Sequence, residues 1–312
     1  IIVISSKSIA RFTSIKKHDG NINIKNHPCK TPIGPGAKYI LDHEGGVDAI
    51  EKKLTPDFSK IATTKEGMFM AEDDYCKSYY YRGTADNWVS FAGFYWRIIR
   101  INGDGSIRLI YSGTKANNTG DGTQIGTSAY NKNYNEEKYA DYKVSNVKTV
   151  VDNWYKTNIL DIGYDGKIAD TGYCNDMTKK STNRFSSYYR LDTNKAPILK
   201  CPDKANNLLS KSNNKLTYPV GLLTWDEVSF AGGVIGQSNN NYYLTTGDWY
   251  WTMTAAFWHA SSVYVGNVDS DGSLRYTYAG SSGTGVHPVL SLKSEVLVTS
   301  GDGTISSPYV IN

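Results

Sequence analysis

Four cysteines offer the most direct chemistry in the chain: Cys29, Cys76, Cys174 and Cys201. Their number is even, their spacing is wide, and no Cys-x-x-Cys pair occurs. Zinc ligation and dithiol redox cycling both need close pairs, so two structural disulfides are the expectation. The short separation of Cys174 and Cys201 favours that pairing and leaves Cys29 for Cys76, although four cysteines permit three arrangements. Disulfides persist in oxidising compartments, which points to an extracellular or cell-surface chain. Catalytic constellations are not evident. His18, His27, His43, His259 and His287 form no His-x-x-x-His metal pair. Gly280-Ser281-Ser282-Gly283 has the wrong spacing for a nucleophile elbow, and no glycine-rich loop ends in Gly-Lys-Ser or Gly-Lys-Thr. Glu72-Asp73-Asp74 reads as a solvated turn, not as two carboxylates flanking a substrate. A non-enzymatic role without cofactor or metal is therefore expected. Asp269-x-Asp271-Gly272 hints at a calcium loop but lacks the later bidentate acid. With Gly103-Asp104-Gly105, Gly120-Asp121-Gly122 and Gly301-Asp302-Gly303, it reads as one of several tight turns between strands.

The composition bounds the partners. The 312 residues are 39% hydrophobic and only 21% charged, and 24 Tyr and 7 Trp supply much of the apolar content. Tyr with Ser, Gly and Asn is the palette of binding surfaces, where rigid aromatic area is surrounded by adaptable polar groups. The net charge of +4 comes with no basic run beyond pairs such as Lys16-Lys17 and Lys52-Lys53, which argues against nucleic acid. No stretch reaches the roughly 18 apolar residues of a membrane span. Ile1-Ile2-Val3-Ile4 reads either as the stump of a removed signal or anchor helix or as a strand. Anchoring to a membrane or pilus would come through a missing N-terminal segment.

These features need elements to carry them. Residues 1–75 read as a small N-terminal extension or stalk, with a loop around Pro32 and Pro35 and one short helix from Gly46 to Leu54. Strands are expected at Tyr79–Arg82, Trp88–Phe91, Phe94–Ile101 and Ser106–Tyr111. Asn102-Gly103-Asp104-Gly105 turns the last two into a hairpin, because Asn and Gly tolerate positive φ. Asn117–Asn135 reads as a surface loop. Val147, Val150, Val151 and Trp154 recur at helical spacing behind Ser145, a suitable cap. Residues 162–215 form a long polar excursion without a core of its own, which a Cys174–Cys201 bridge would fix. Thr224 and Glu227 make a capping box for a helix ending at Gly232-Gly233. Strands follow at Trp249–Met253, Val263–Val268, Leu274–Tyr278 and Val286–Leu292, then Val296–Val298 and Pro308–Ile311.

Several stretches together resemble a large family of exported proteins from gut Gram-positive bacteria that carry a C-type-lectin-like (formylglycine-generating-enzyme-like) domain. They are Phe91-Ala92-Gly93-Phe94-Tyr95-Trp96-Arg97-Ile98-Ile99-Arg100, Asp152-Asn153-Trp154-Tyr155, Ala169-Asp170-Thr171-Gly172-Tyr173-Cys174-Asn175-Asp176, Tyr250-Trp251-Thr252-Met253 and Gly285-Val286-His287-Pro288-Val289. The resemblance runs from about Lys53 to the C-terminus. It implies an α+β fold of mostly antiparallel strands with two main helices, spanning residues 76–312. The stretch 254–284 is similar to the variable region of proteins diversified by retroelements, in which such a scaffold displays hypervariable residues. Relatives show Ser-Pro after the Thr-Met and Arg before the Pro-Val, where this chain has Thr254-Ala255 and His287. Sulfatase-activating oxidases share the fold but need reactive cysteines that this chain lacks after Cys201. Calcium-dependent sugar lectins of the fold use Glu-Pro-Asn or Gln-Pro-Asp with Trp-Asn-Asp. Here Asp86-Asn87-Trp88 and Asp152-Asn153-Trp154 run in the reverse order.

The resemblance implies a secreted or cell-surface, adhesin-like protein whose ligand is a protein or glycan on another cell, host or phage surface. A pilin-like or surface-layer subunit and a calcium-dependent glycan-binding lectin are the alternatives. Contacts are expected from His259, Ser261, Tyr264, Asn267, Asp269, Asp271, Arg275, Tyr276 and Tyr278. Strand alternation would turn Val263, Val265 and Val268 to the core and leave Tyr264 and Asn267 to solvent. Tyr, His and Arg would be the anchors and Ser, Asn and Asp the polar surround.

Overall fold

The computed structural model describes residues 29–312 throughout and, before them, the pairing of β1 (Lys17–His18) with β2 (Asn21–Ile22). Ile1–Ile4 lies outside the described residues. The chain divides into two units, Ile1–Lys30 and Thr31–Asn312. The second unit begins well before residue 76, so residues 31–75 are no stalk. Pro35 does not sit in a loop: it opens helix α1 (Pro35–His43), where its missing N–H is harmless and its fixed φ suits the first turn. Helix α2 (Val47–Glu51) follows. Ala37, Ile40, Leu41 and Ile50 from these helices are fully buried in the main core.

The larger sheet carries the aromatic first half. Strand β3 (Lys65–Glu72) pairs with β4 (Lys77–Gly83), which also pairs with β6. Strands β5 (Trp88–Phe91), β6 (Phe94–Ile101) and β7 (Ile107–Tyr111) form an antiparallel meander. Strand β7 is buried at every position, and its apolar-aromatic run is interrupted only by Arg108, which pairs with Glu227. The expected β6–β7 turn is present. Asn102 and Ser106 are bonded across it, and Gly105 has φ +83°. A Cβ at Gly105 would lie 1.8 Å from the Pro32 carbonyl oxygen, so the position needs glycine for space as well as for φ.

Helix α3 (Asn146–Tyr155) is the amphipathic helix behind Ser145, whose Oγ accepts from Lys148 N. The region 162–215 departs from expectation. Its elements are all short, among them β8 (Tyr173–Cys174), α4 (Ser186–Tyr188) and β9 (Asn207–Leu208), yet Tyr173, Phe185, Leu191 and Leu208 enter the main core. Its polar residues serve the backbone. Asn175, almost fully buried, accepts from Tyr142 N and donates to Met253 O, both at 2.7 Å. Such contacts satisfy peptide groups that no sheet reaches. Cys174 and Cys201 form a disulfide, and Cys29 and Cys76 are disulfide-bonded as well, so no cysteine is free.

Helix α5 (Trp225–Ala231) has both hydrogen bonds of the capping box and ends at Gly232, φ +121°. Every one of its residues is buried, including Asp226 and Glu227. Strands β10 (Tyr250–His259), β11 (Ser262–Val268) and β12 (Leu274–Tyr278) form a separate three-stranded antiparallel sheet. The last strands, β13 (Val289–Leu292), β14 (Val298–Ser300) and β15 (Tyr309–Ile311), return to the larger sheet. There β13 pairs with β7, and β15 pairs with β5 in parallel. The fold is thus α+β with mostly antiparallel strands. Trp96, Trp225 and Trp251 are fully buried in one hydrophobic cluster that joins both sheets.

Beneath the Cys174–Cys201 loop lies a buried ionic network. Arg190 holds Asp226 with two bonds of 2.8 and 2.7 Å and reaches Asp176 at 3.2 Å. Arg100 bonds Asp73 at 2.7 Å, and Glu227 lies between Arg100 and Arg108 at 3.4 and 2.6 Å. Burial alone would raise the Glu227 pKa, but Arg108 and Arg100 outweigh it and hold the carboxyl below its usual value. Glu72-Asp73-Asp74 is therefore not a solvated turn throughout: Asp73 is buried and paired.

Candidate ligand-binding face

The three-stranded sheet positions the expected contact residues. Strand β10 is buried from Tyr250 to Ala256, half-buried at Phe257 and Trp258, and exposed at His259. Its tip therefore leaves the core and carries the β10–β11 turn to the surface. That turn has two central residues, Ala260 and Ser261, with φ of +46° and +60°. Positive φ at both positions is the primed geometry that matches strand twist, and it favours Asn-Gly. Ala and Ser in its place store about 1 kcal/mol or more each.

The register decides which side chains meet. Tyr264 pairs with Tyr278, Gly266 with Tyr276, and Asn267 with Arg275. Directly opposed residues share a face, so Tyr264, Tyr276 and Tyr278 lie on one face and Arg275 on the other. Tyr276 and Tyr278 are 40% and 43% exposed, so neither is a core residue. Phe257 stacks on Tyr264 with ring centroids 4.5 Å apart, and Tyr276 meets Phe257 edge-on at 4.5 Å. Tyr188 from α4 extends the group, 6.2 Å from Tyr276, and Arg184 lies 4.6 Å from the Tyr188 ring centre. Tyr134 packs edge-on against Tyr278 at 5.6 Å. The result is a half-exposed aromatic surface centred on Phe257, Tyr264 and Tyr276.

The nine expected residues do not all join it. His259, Ser261, Tyr264, Tyr276 and Tyr278 lie along the face or at its turn. Asp269, Asp271 and Arg275 belong to the opposite end of the β11–β12 hairpin. Asp269 is five residues from Tyr264, about 16 Å along a strand at 3.3 Å per residue. Asp271 Oδ1 accepts from Ser273 N and Oγ, and its Oδ2 is bonded by Ser238 Oγ. Those bonds hold the Asp271 pKa below the usual range, led by the one from Ser238. Asp269 lies 4.0 Å from Arg275. Asn267 corrects the expectation outright, being buried at 1% exposure. Its carbonyl accepts from the Trp225 indole at 3.2 Å, and its side chain faces Thr277. Strict alternation puts Asn267 on the buried face of Val263 and Val265, and the expectation departed from it by counting Val268 with them. The other face of β11 is covered as well at this end: Gly266 lies against the Trp225 ring, where a Cβ would come within 2.5 Å. Among the described residues, no three His, Cys, Asp or Glu side chains converge as a metal site.

Four aromatic or cationic participants were not among the expected residues: Phe257, Tyr188, Tyr134 and Arg184. Phe257 lies within reach of the sequence, four residues past the strand expected at Trp249–Met253. Tyr188 from α4 and Tyr134 and Arg184 from loops are distant in the chain and carry no local signal. Compared with family models, curated proteins and solved structures, the chain matches none.

Proposed function

We propose that this chain is a secreted or cell-surface ligand-binding protein, and that its ligand docks on the aromatic face of the three-stranded sheet. The observation that carries this reading is the half-exposed cluster of Phe257, Tyr264, Tyr276 and Tyr188 at the sheet's projecting end. Aromatic surface left partly in water is a recurrent anchor of recognition sites, and these rings are held against one another with little freedom to lose on binding. The four disulfide-bonded cysteines support an oxidising, extracellular setting. In this reading the scaffold is C-type-lectin-like, and the segment 254–284 is its variable, ligand-selecting part, diversified by a retroelement. Tyr264, Tyr276 and Tyr278 are the anchors, with His259 and Ser261 at the rim.

The test is direct binding. The labelled full chain is applied to a glycan array and to intact bacterial and epithelial cells, beside Tyr264→Ala/Tyr276→Ala. Saturable binding that weakens about 30-fold or more in the variant, with unchanged circular dichroism, is the expected result. Equal binding by both proteins, or no saturable binding to any surface, overturns the proposal.

A further inference from the structure

The aromatic face ends on a cation that the fold leaves unpaired. Residues 179–185 make a tight turn, in which the N–H groups of Lys180 and Ser181 both donate to Arg184 O, at 3.0 and 3.3 Å. The second arm of the turn lies along the outer edge of β10. Trp258 N donates to Asn183 O at 2.8 Å and Phe185 N to Ala256 O at 3.2 Å, so Arg184 stands directly opposite Phe257 in an antiparallel bridge. Phe257 is opposed in turn to Tyr264, and Tyr264 to Tyr278. Opposed residues share a face. Arg184, Phe257, Tyr264 and Tyr278 therefore form one row across the sheet, about 14 Å long at the usual strand spacing.

The polar groups of this row are not met by the chain. Arg184 is half-buried, with its guanidinium 4.6 Å from the Tyr188 ring centre and 5.9 Å from that of Tyr189. Among the described residues its side chain makes no ion pair and no hydrogen bond. Lys180, in the same turn, is exposed and likewise unpaired, whereas Lys179 is held by Glu137. Asp192 is an acid that acts on this group. Burial raises the Tyr188 pKa, Asp192 adds to the rise, and Arg184 opposes it. Two free cations against Asp192 leave this end of the row positive. The hydroxyls of Tyr264, Tyr276 and Tyr278 also make no hydrogen bond among the described residues.

An added peptide strand has little room here. Residues 183–185 already occupy the outer edge of β10. On β12, Leu274 N donates to Val234 O and its carbonyl accepts from Gly236 N, while just past the strand Ala279 O accepts from Asn131 N. What stays open is the face itself: rings, free hydroxyls and one guanidinium.

We infer that the ligand of this face is a carbohydrate bearing a carboxylate, a hexuronate or a nonulosonate, whose ring packs on Phe257, Tyr264 and Tyr276 while Arg184 takes the acid. The inference rests on the ligand-binding reading above and supplies its chemistry. A sugar ring presents apolar C–H patches that pack on aromatic rings, and hydroxyls that bond to those of tyrosine. A carboxylate matches the fork of a guanidinium, and no acid of the described chain occupies that of Arg184. A cationic ligand is disfavoured, because Arg184 already lies over the Tyr188 ring.

The experiment titrates the full chain at constant ionic strength with a glucuronate-ended trisaccharide and with sialyllactose. Each is compared with its neutral form, in which the carboxyl is reduced to the alcohol, and the peptide Glu-Tyr-Glu represents the competing class. NMR follows the Arg184 Nε–Hε signal and the ring signals of Phe257 and Tyr264. Saturable shifts with at least one acidic sugar are expected, with its neutral form binding about tenfold more weakly or worse. The sugar that binds identifies the source of the carboxylate. Arg184→Gln should abolish the preference for the acid while changing the Kd of the neutral form by less than about twofold. Equal affinity for acidic and neutral forms, tighter binding of the peptide, or no saturable shift with either acidic sugar would overturn the inference. If Arg184→Gln does not fold by circular dichroism, the comparison of acidic and neutral sugars on the native chain decides alone. The two readings fail separately. Cell-surface binding that is lost in Tyr264→Ala/Tyr276→Ala but kept in Arg184→Gln sinks the acidic sugar alone, whereas binding that ignores the tyrosines sinks the face as well.

Discussion

The aromatic end of the three-stranded sheet and the charged floor beneath the Cys174–Cys201 loop are opposites in construction. The first leaves large apolar rings half in water and closes its hairpin with two strained non-glycine residues. The second buries Arg100, Arg108, Arg190, Asp73, Asp176, Asp226 and Glu227, each paired with an opposite charge. Groups at the first can be removed without uncovering a core. Groups at the second cannot, because each charge is tolerated only through its partner. Tolerance of change therefore differs sharply between two regions joined by β10 and α5. A ligand-selecting surface needs the first property, and a scaffold needs the second.

Removing one charge from the buried network should have the largest effect. Asp226→Ala leaves Arg190 with Asp176 alone and removes the acceptor of Ile198 N. A loss of about 3–5 kcal/mol is expected in urea unfolding, against under 1 kcal/mol for Tyr276→Ala. Similar values for the two would erase the contrast.

Acid should act next, through a buried group near the same sheets. Burial pushes the His287 imidazole down to about 4, although its bond to Tyr111 O opposes this slightly. Its Nε2 is buried without a hydrogen-bond partner. The unfolded chain takes up this proton near pH 6.5, and the folded chain does not until about 4. Stability is therefore full above pH 6.5 and falls as pH drops toward 4. Between pH 7 and 4.5 the native protein should lose about 2–3 kcal/mol more than His287→Gln, measured by urea midpoints at both pH values. Equal losses would show that the imidazole is accessible to solvent.

The smallest effect should come from relaxing the exposed turn. Replacing Ala260-Ser261 by Asn-Gly supplies residues that accept positive φ and should raise stability by about 1 kcal/mol. A thermal melt that falls instead would mean that the tip is packed and not expendable, which blurs the comparison from the other side.

Much of the frame was legible because its signals are local. The Asn102–Gly105 turn, the Ser145 cap and the Thr224–Glu227 box each depend on a few adjacent residues, and all are present. The three strands of the candidate face were also readable from their β-branched and aromatic runs. Pro35 misled because proline suits a loop and a helix N-terminus equally. Asn267 misled because Val268 was counted on the core side with Val263 and Val265, whose face the period of two assigns to Asn267.

Residue types and spacing were thus enough to place the strand-rich aromatic halves and to favour the Cys174–Cys201 pairing, while the α+β class came from the family resemblance. Which polar residues would be buried was decided only by the tertiary structure. Arg108 and Glu227 are 119 positions apart by their numbers, and Tyr188 reaches Phe257 and Tyr276 from α4. Local propensity depends on neighbours in the chain, whereas charge pairing and ring packing depend on neighbours in space. Such contacts form only once the chain has closed long loops, so no short stretch of sequence carries their signature.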